Sequence, residues 1–140
     1  LDASPAAIAH LEATARREGL ALRAVQADLR SARIDETFDT VVCIGLLMFF
    51  DRPTALAQLE HLKSLVAPGG VAVLNVLTQG TTFLDMFAPD GYCLFGEDEL
   101  TSRLVGWQVL LHEHSVFPAP HDTVKAFDAL VACRPRDMRV

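Results

Sequence analysis

Long apolar runs are missing from these 140 residues: Asp, Gly or Pro interrupts every such stretch before it reaches the roughly 20 residues that span a bilayer. A membrane-spanning role is therefore not expected. Basic charge is also scarce, with 12 Lys and Arg against 18 Asp and Glu, a net charge of −6 and an isoelectric point near 5.2. No basic stripe is offered to a phosphate backbone, which sets nucleic acid aside as a partner. Cysteine occurs three times, at Cys43, Cys93 and Cys133, far apart, odd in number and without C-x-x-C spacing. Such usage suits a reducing compartment, so a cytoplasmic location is expected. Repeats, low-complexity tracts and interdomain linkers are lacking too. With 51% hydrophobic and 21% charged residues, residues 1–140 read as one compact domain with a sizeable core.

An initial Met and a signal-peptide pattern are also missing. The chain opens at Leu1 and within a few residues meets Ser4-Pro5, a helix N-cap followed by the proline favoured at the first helical position. It thus reads as beginning in mid-motif, and an upstream segment is expected. From Ser4 to Gly19, residues Ala7, Ile8, Leu11, Thr14 and Ala15 recur at helical spacing, with Gly19 as the stop. Leu20 to Gln26 alternates loosely as a short strand with Asp28 just past its end. Phe38 to Gly45 has almost no polar face and predicts a central parallel strand covered on both sides.

After a turn at Asp51-Arg52-Pro53, residues Leu56, Leu59, Leu62 and Val66 mark a second helix. Pro68-Gly69-Gly70 is expected to break it before a buried strand over 71–77. A helix of that length allows the right-handed crossover between parallel strands, so this half is α/β and doubly wound. Residues 78–94 read as a loop-rich lid, followed by an acidic helix start at Glu97-Asp98-Glu99. Trp107 to His114 and Val124 to Cys133 form two strands whose connection is too short for a crossover, hence antiparallel neighbours.

In open α/β sheets, ligands bind beyond the carboxyl ends of the strands, where Asp2, Asp28 and Gly45 stand. An acid at Asp2 can accept hydrogen bonds from both hydroxyls of a ribose, or simply precede a helix under the favour of its dipole. Asp28 can accept from the exocyclic amino group of an adenine, or cap the bend Asp28-Leu29-Arg30.

Leu1-Asp2-Ala3-Ser4, Asp28-Leu29, Phe38-Asp39 at a buried strand, and Pro68-Gly69-Gly70 before the next strand resemble successive motifs of class I S-adenosylmethionine-dependent methyltransferases. Leu46-Leu47-Met48-Phe49-Phe50, the stretch 95–100 (FGEDEL) and Gly106-Trp107 are similar to the tellurite-resistance (TehB-like) branch. The resemblance implies a three-layer Rossmann-like sheet, mostly parallel with an antiparallel last strand. It implies S-adenosylmethionine as cofactor, S-adenosylhomocysteine as product, and a small-molecule acceptor, a tellurite or other chalcogen oxyanion in that branch. Asp2 and Ala3 would border the ribose, Asp28 and Leu29 the adenine, and Ile44, Gly45 and Leu46 the methyl-donor side. The family's first strand and its Gly-rich turn would lie before Leu1. In family topology their absence leaves a gap in the sheet, and the exposed edge is expected either to rearrange or to pair with a second copy as a homodimer.

The branch places a His-Arg pair between its last two strands; here the match is His121-Asp122, without the arginine. His121 is of the residue type that most often serves as a general base, or is an exposed loop residue. His112 and His114 face one side of a strand but lack a third ligand, so no metal site is expected and a solvent-facing pair is the better reading. Phe49, Phe50, Phe83, Met86 and Phe87 could line an apolar acceptor pocket, where excluding water favours transfer from a sulfonium, or pack as core or lid. Cys43, inside a buried strand, reads as a small core residue. Methyl transfer is a direct displacement that chiefly needs alignment, so few catalytic side chains are obligatory. Two other readings stand beside it: a nicotinamide-dependent oxidoreductase, which Asp2 would serve equally but the closing antiparallel pair opposes, and a non-catalytic remnant acting as a binding or dimerisation module.

Overall fold

The computed structural model describes residues 1–136, in two compact units, Leu1–Ile34 and the chain from Asp35 onward. Among the described residues no helix is long and apolar enough to cross a membrane. In the first unit, α1 spans Pro5–Glu18. The Ser4 hydroxyl accepts the Ala7 N–H, and Gly19 closes the last turn in a left-handed conformation with φ of 65°, its N–H on the Ala15 carbonyl. Both ends follow the capping chemistry expected of Ser-Pro and Gly. The strand expected over 20–26 contracts to one parallel bridge between Asp2 and Gln26. Among the described residues the pairing there consists of Asp2 N to Val25 O and Ala27 N to Asp2 O.

The second unit is a mixed α/β sheet built from β1 (Phe38–Ile44), β2 (Val66–Leu77), β3 (Gln108–Ala119) and β4 (Thr123–Cys133), in the order β1-β2-β4-β3. β1 pairs parallel with β2, and the other two pairings are antiparallel. The crossover is α2 (Arg52–Leu65), capped by Asp51, whose carboxylate accepts the Thr54 N–H. Its buried stripe is Ala55, Gln58, Leu59 and Leu65, with Leu56 and Leu62 half-buried. Leu59 is fully enclosed, a burial worth about 1.5–3 kcal/mol. A single turn, α3 (Glu99–Ser102), is tied to α2 by Lys63 Nζ on the Arg103 carbonyl at 2.6 Å.

Pro68-Gly69-Gly70 ends no element; it is a bulge inside β2. Phe38 faces Val66 and Thr40 faces Val71, so the residues between Val66 and Val71 stand opposite Asp39 alone. Gly70 lies so close to β1 that a Cβ there would sit 2.8 Å from the Asp39 carbonyl oxygen and 2.9 Å from that of Ala67. The bulge is held from the other side by Gly69 N to Arg134 O (3.0 Å) and Arg134 N to Gly70 O (2.8 Å).

The core lies on one face of this sheet, where Val41, Cys43, Ala72, Leu74, Val76, Ala126, Leu130 and Ala132 are buried with Met48, Phe95, Leu100 and Leu104. The expectation of a first strand covered on both sides and central in the sheet is corrected here. β1 is an edge strand, and Val42 and Ile44 on its second face are 59% and 64% exposed. Unbroken hydrophobicity reports that both faces suit cover, not that this unit supplies it. The open face continues across Leu111 and Phe117 and forms an apolar hollow of about 350 Å³.

Candidate functional site

The first unit brings the two candidate acids to the ends of neighbouring extended segments. Asp2 sits in the bridge to Gln26, two residues before Asp28, and its Oδ1 accepts the Ser4 N–H at 2.8 Å. Ala3 is exposed and its carbonyl accepts from Gln26 Nε2. Asp28 caps the bend that follows: its Oδ1 accepts the Arg30 backbone N–H at 3.0 Å, and both oxygens are held by the Arg30 guanidinium at 3.0 Å. These bonds from Arg30 hold the Asp28 carboxyl below the usual carboxylate range. The turn-capping role weighed from the sequence is thus present. It leaves a lone pair on Oδ2, since a carboxylate oxygen accepts two hydrogen bonds. Leu29 is half-buried.

In the second unit, β1 ends at Ile44 and the chain turns at Gly45 with φ of 64° and passes Leu46 into a 3-10 turn, Leu47–Phe49. The aromatic residues expected to share a pocket separate. Phe49 meets Phe87 at 5.3 Å, and Phe87 stacks on Tyr92 at 5.2 Å. Phe50 is buried in the core, and Phe83 lies beneath Lys125 Nζ at 4.7 Å with its N–H on the Val124 carbonyl. Met86 is half-buried in the loop between them. Burial pushes the Cys43 thiol up to about 11, which suits a core residue and not a nucleophile.

His121 occupies the exposed tip of the β3–β4 hairpin. With Asp122 it takes the two left-handed central positions of the turn, φ 58° and 56°, closed by Thr123 N to Pro120 O.

A cluster that sequence reasoning missed lies lower in the same hairpin. Asp128 on β4 is 3% exposed, and its two oxygens meet two imidazoles of β3: Oδ1 with His114 Nδ1 at 2.7 Å and Oδ2 with His112 Nε2 at 3.3 Å. The pair read as merely solvent-facing is therefore anchored by a buried carboxylate. The signal was available, because counting back from the turn at His121-Asp122 sets His114 directly opposite Asp128. Among the described residues no group of three or more His, Cys, Asp or Glu is placed to hold a metal ion. Thr78, Gln79, Glu97 and Asp98 complete a pocket of about 270 Å³ around this cluster.

Glu99 braces the wall of that pocket. Burial pushes its carboxyl up, but the Gly96 N–H at 2.8 Å and the Arg103 and Arg52 guanidinium groups outweigh it and hold the group at about 2.

Residues 1–70, which contain both candidate acids and the whole of β1, match the family described as a methyltransferase domain. The chain belongs to this methyltransferase family. Two solved structures share its fold. TehB from Haemophilus influenzae superposes with a TM-score of 0.77 at 21% identity, over 94% of this chain and 48% of that one. The N-methyltransferase NodS from Bradyrhizobium japonicum, solved with S-adenosyl-L-homocysteine, gives 0.67 at 16% identity, over 96% of this chain and 65% of its own. Among curated proteins, hemagglutinin 1 of Eikenella corrodens is 28% identical over 116 residues, 83% of this methyltransferase chain and 38% of that protein. The chain thus spans about half the length of TehB and less of the curated relative.

Proposed function

We propose that the chain acts as an S-adenosylmethionine-dependent methyltransferase on a small-molecule acceptor. The observation that carries this reading is the family match over residues 1–70, which include Asp2, Ala3, Asp28, Leu29 and the Ile44-Gly45-Leu46 strand end. The residues present fit a nucleoside. Asp2 keeps its second oxygen for ribose hydroxyls, and Asp28 keeps an acceptor position for an exocyclic amino group despite its bond to Arg30. When bound, S-adenosylmethionine supplies a methyl group activated on a sulfonium. The chain's own task is to orient that group and the acceptor and to exclude water, for which the aromatic row Phe49, Phe87 and Tyr92 offers an apolar wall.

The likeness to the tellurite-resistance branch supports a chalcogen oxyanion as the first acceptor to try, with His121 beside it. Asp122 in place of the branch's arginine weakens the case, because a carboxylate repels an oxyanion. The β1 edge, which among the described strands is paired on one side, is the surface proposed for pairing with a second copy. A cytoplasmic location is part of the same reading.

Calorimetric titration of the 140-residue chain with S-adenosylhomocysteine tests the proposal. Micromolar binding, weakened about tenfold or more by Asp2→Ala and by Asp28→Ala, is the expected result. A folded chain that binds nothing supports the non-catalytic remnant instead, and NADH binding the oxidoreductase.

A further inference from the structure

We propose that Arg30 is a positioning residue for the nucleoside: its guanidinium and backbone N–H fix the Asp28 carboxylate so that a single oxygen lone pair is left to take the 6-amino group of adenine, and a 6-oxo purine is refused. This role rests on the methyltransferase reading above and names what selects the base of its cofactor.

The main chain is held before the side chain is. Ala27 N donates to the Asp2 carbonyl at 3.0 Å, and the Asp28 carbonyl accepts from Ser31 N at 3.1 Å and Ala32 N at 2.8 Å. Backbone bonds thus lie on both sides of Asp28, and its side-chain torsions alone are left to decide where its oxygens point. Arg30 decides them. Oδ1 accepts the Arg30 backbone N–H and Nε, each at 3.0 Å, and Oδ2 accepts Nη2 at 3.0 Å. Two bonds from one planar fork fix the plane of a carboxylate, which a point charge does not.

An ionised carboxylate offers two acceptor positions on each oxygen, so Oδ1 is filled and Oδ2 has one left. The guanidinium bonds first, and the backbone N–H second, hold the group ionised below the ordinary carboxylate range, so it accepts and does not donate. The ligand group that fits one fixed acceptor is an N–H in line with it, as an exocyclic amino group supplies. A 6-oxo purine sets carbonyl lone pairs there instead, and its N1–H lies one ring position away, out of line with an acceptor that cannot turn. A carboxylate freed from Arg30 can turn to meet that N1–H. Selection therefore depends on the hold and not on the charge alone.

The pair has little to do for the fold. The Arg30 and Asp28 side chains are 69% and 52% exposed, and ion pairs so placed contribute little to stability. What the clamp does control is the direction of an acid that stands two residues beyond the bridge from Asp2 to Gln26, at the end of an extended segment where ligands of such folds gather.

Calorimetric titration of the 140-residue chain with S-adenosylhomocysteine and with S-inosylhomocysteine, its 6-oxo counterpart, tests this in the parent, Arg30→Ala and Arg30→Lys. The parent should favour the 6-amino ligand about tenfold or more, and Arg30→Ala should bring the two affinities within about threefold of each other. Arg30→Lys keeps the charge without the fork and should behave as Arg30→Ala does. In the free chain, carbon-13 NMR should find the Asp28 carboxyl titrating at higher pH in Arg30→Ala than in the parent. Urea unfolding of both variants should match the parent, a result that a merely structural pair does not give. A parent without the preference, a preference unchanged in Arg30→Ala, or one restored in full by Arg30→Lys overturns the proposal and leaves the methyltransferase reading in place. A folded parent that binds neither nucleoside refutes that reading, and the role of Arg30 with it.

Discussion

Replacing Glu99 with Gln probes how the second unit holds its pocket wall, and the structure sets the size of the effect. Glu99 accepts the Gly96 N–H on Oε2 and carries Arg103 and Arg52 on Oε1, with its side chain only 14% exposed. Its carboxyl titrates at about 2 in place of an ordinary 4.5, which corresponds to about 3 kcal/mol. Arg52 is 48% exposed at its side chain, and solvent screening there reduces the figure to about 2 kcal/mol. A carboxyl made more acidic by folding stabilises fully above its unfolded value and loses that contribution as pH falls through the interval from about 4.5 to about 2. Glu99→Gln keeps an oxygen for Gly96 but loses both ion pairs. Urea denaturation should therefore find the variant about 2 kcal/mol less stable at pH 7 and nearly equal to the parent near pH 2. A stability gap that stays constant across that range refutes the assignment of the shift to Arg52, Arg103 and Gly96.

Gly70→Ala forces a Cβ within 2.8 Å of the Asp39 carbonyl oxygen and should cost about 2–3 kcal/mol in thermal or urea unfolding. Thr81→Val removes a hydroxyl that accepts from Ala126 N (3.0 Å) and donates to Ala126 O (3.2 Å); the carbonyl keeps the Thr78 N–H at 2.8 Å but the buried Ala126 N–H loses its partner, and the loss should be about 1–2 kcal/mol in urea unfolding. Cys43, 5% exposed with its thiol pushed up to about 11, should resist alkylation at pH 8 in the native chain and react readily in urea. Rapid native labelling at that residue contradicts the packing described for β1.

Helix ends were legible because capping is local: Ser4-Pro5, Gly19 and Asp51-Arg52-Pro53 each carry their reason within a turn of chain. The closing hairpin was legible for a similar reason, its short connection excluding a crossover. Pro68-Gly69-Gly70 was misjudged because a breaker signal does not distinguish the end of an element from a bulge, and only the facing strand decides that. The exposure of Val42 and Ile44 was out of reach, since hydrophobic strands advertise a need for cover without naming its source. At the site, the positions of Asp2 and Asp28 were legible from strand ends, whereas the hold of Arg30 on Asp28 depends on side-chain reach. His112 and His114 were visible as a same-side pair; their meaning came from Asp128, more than a dozen residues away across a register set by the turn.

The nucleoside assignment is tested most directly by a crystal structure of the 140-residue chain with S-adenosylhomocysteine. The expected density places the ribose hydroxyls within hydrogen-bond distance of the Asp2 carboxylate and the adenine amino group at Asp28. Density for the ligand elsewhere, with both carboxylates turned away from it, contradicts the account.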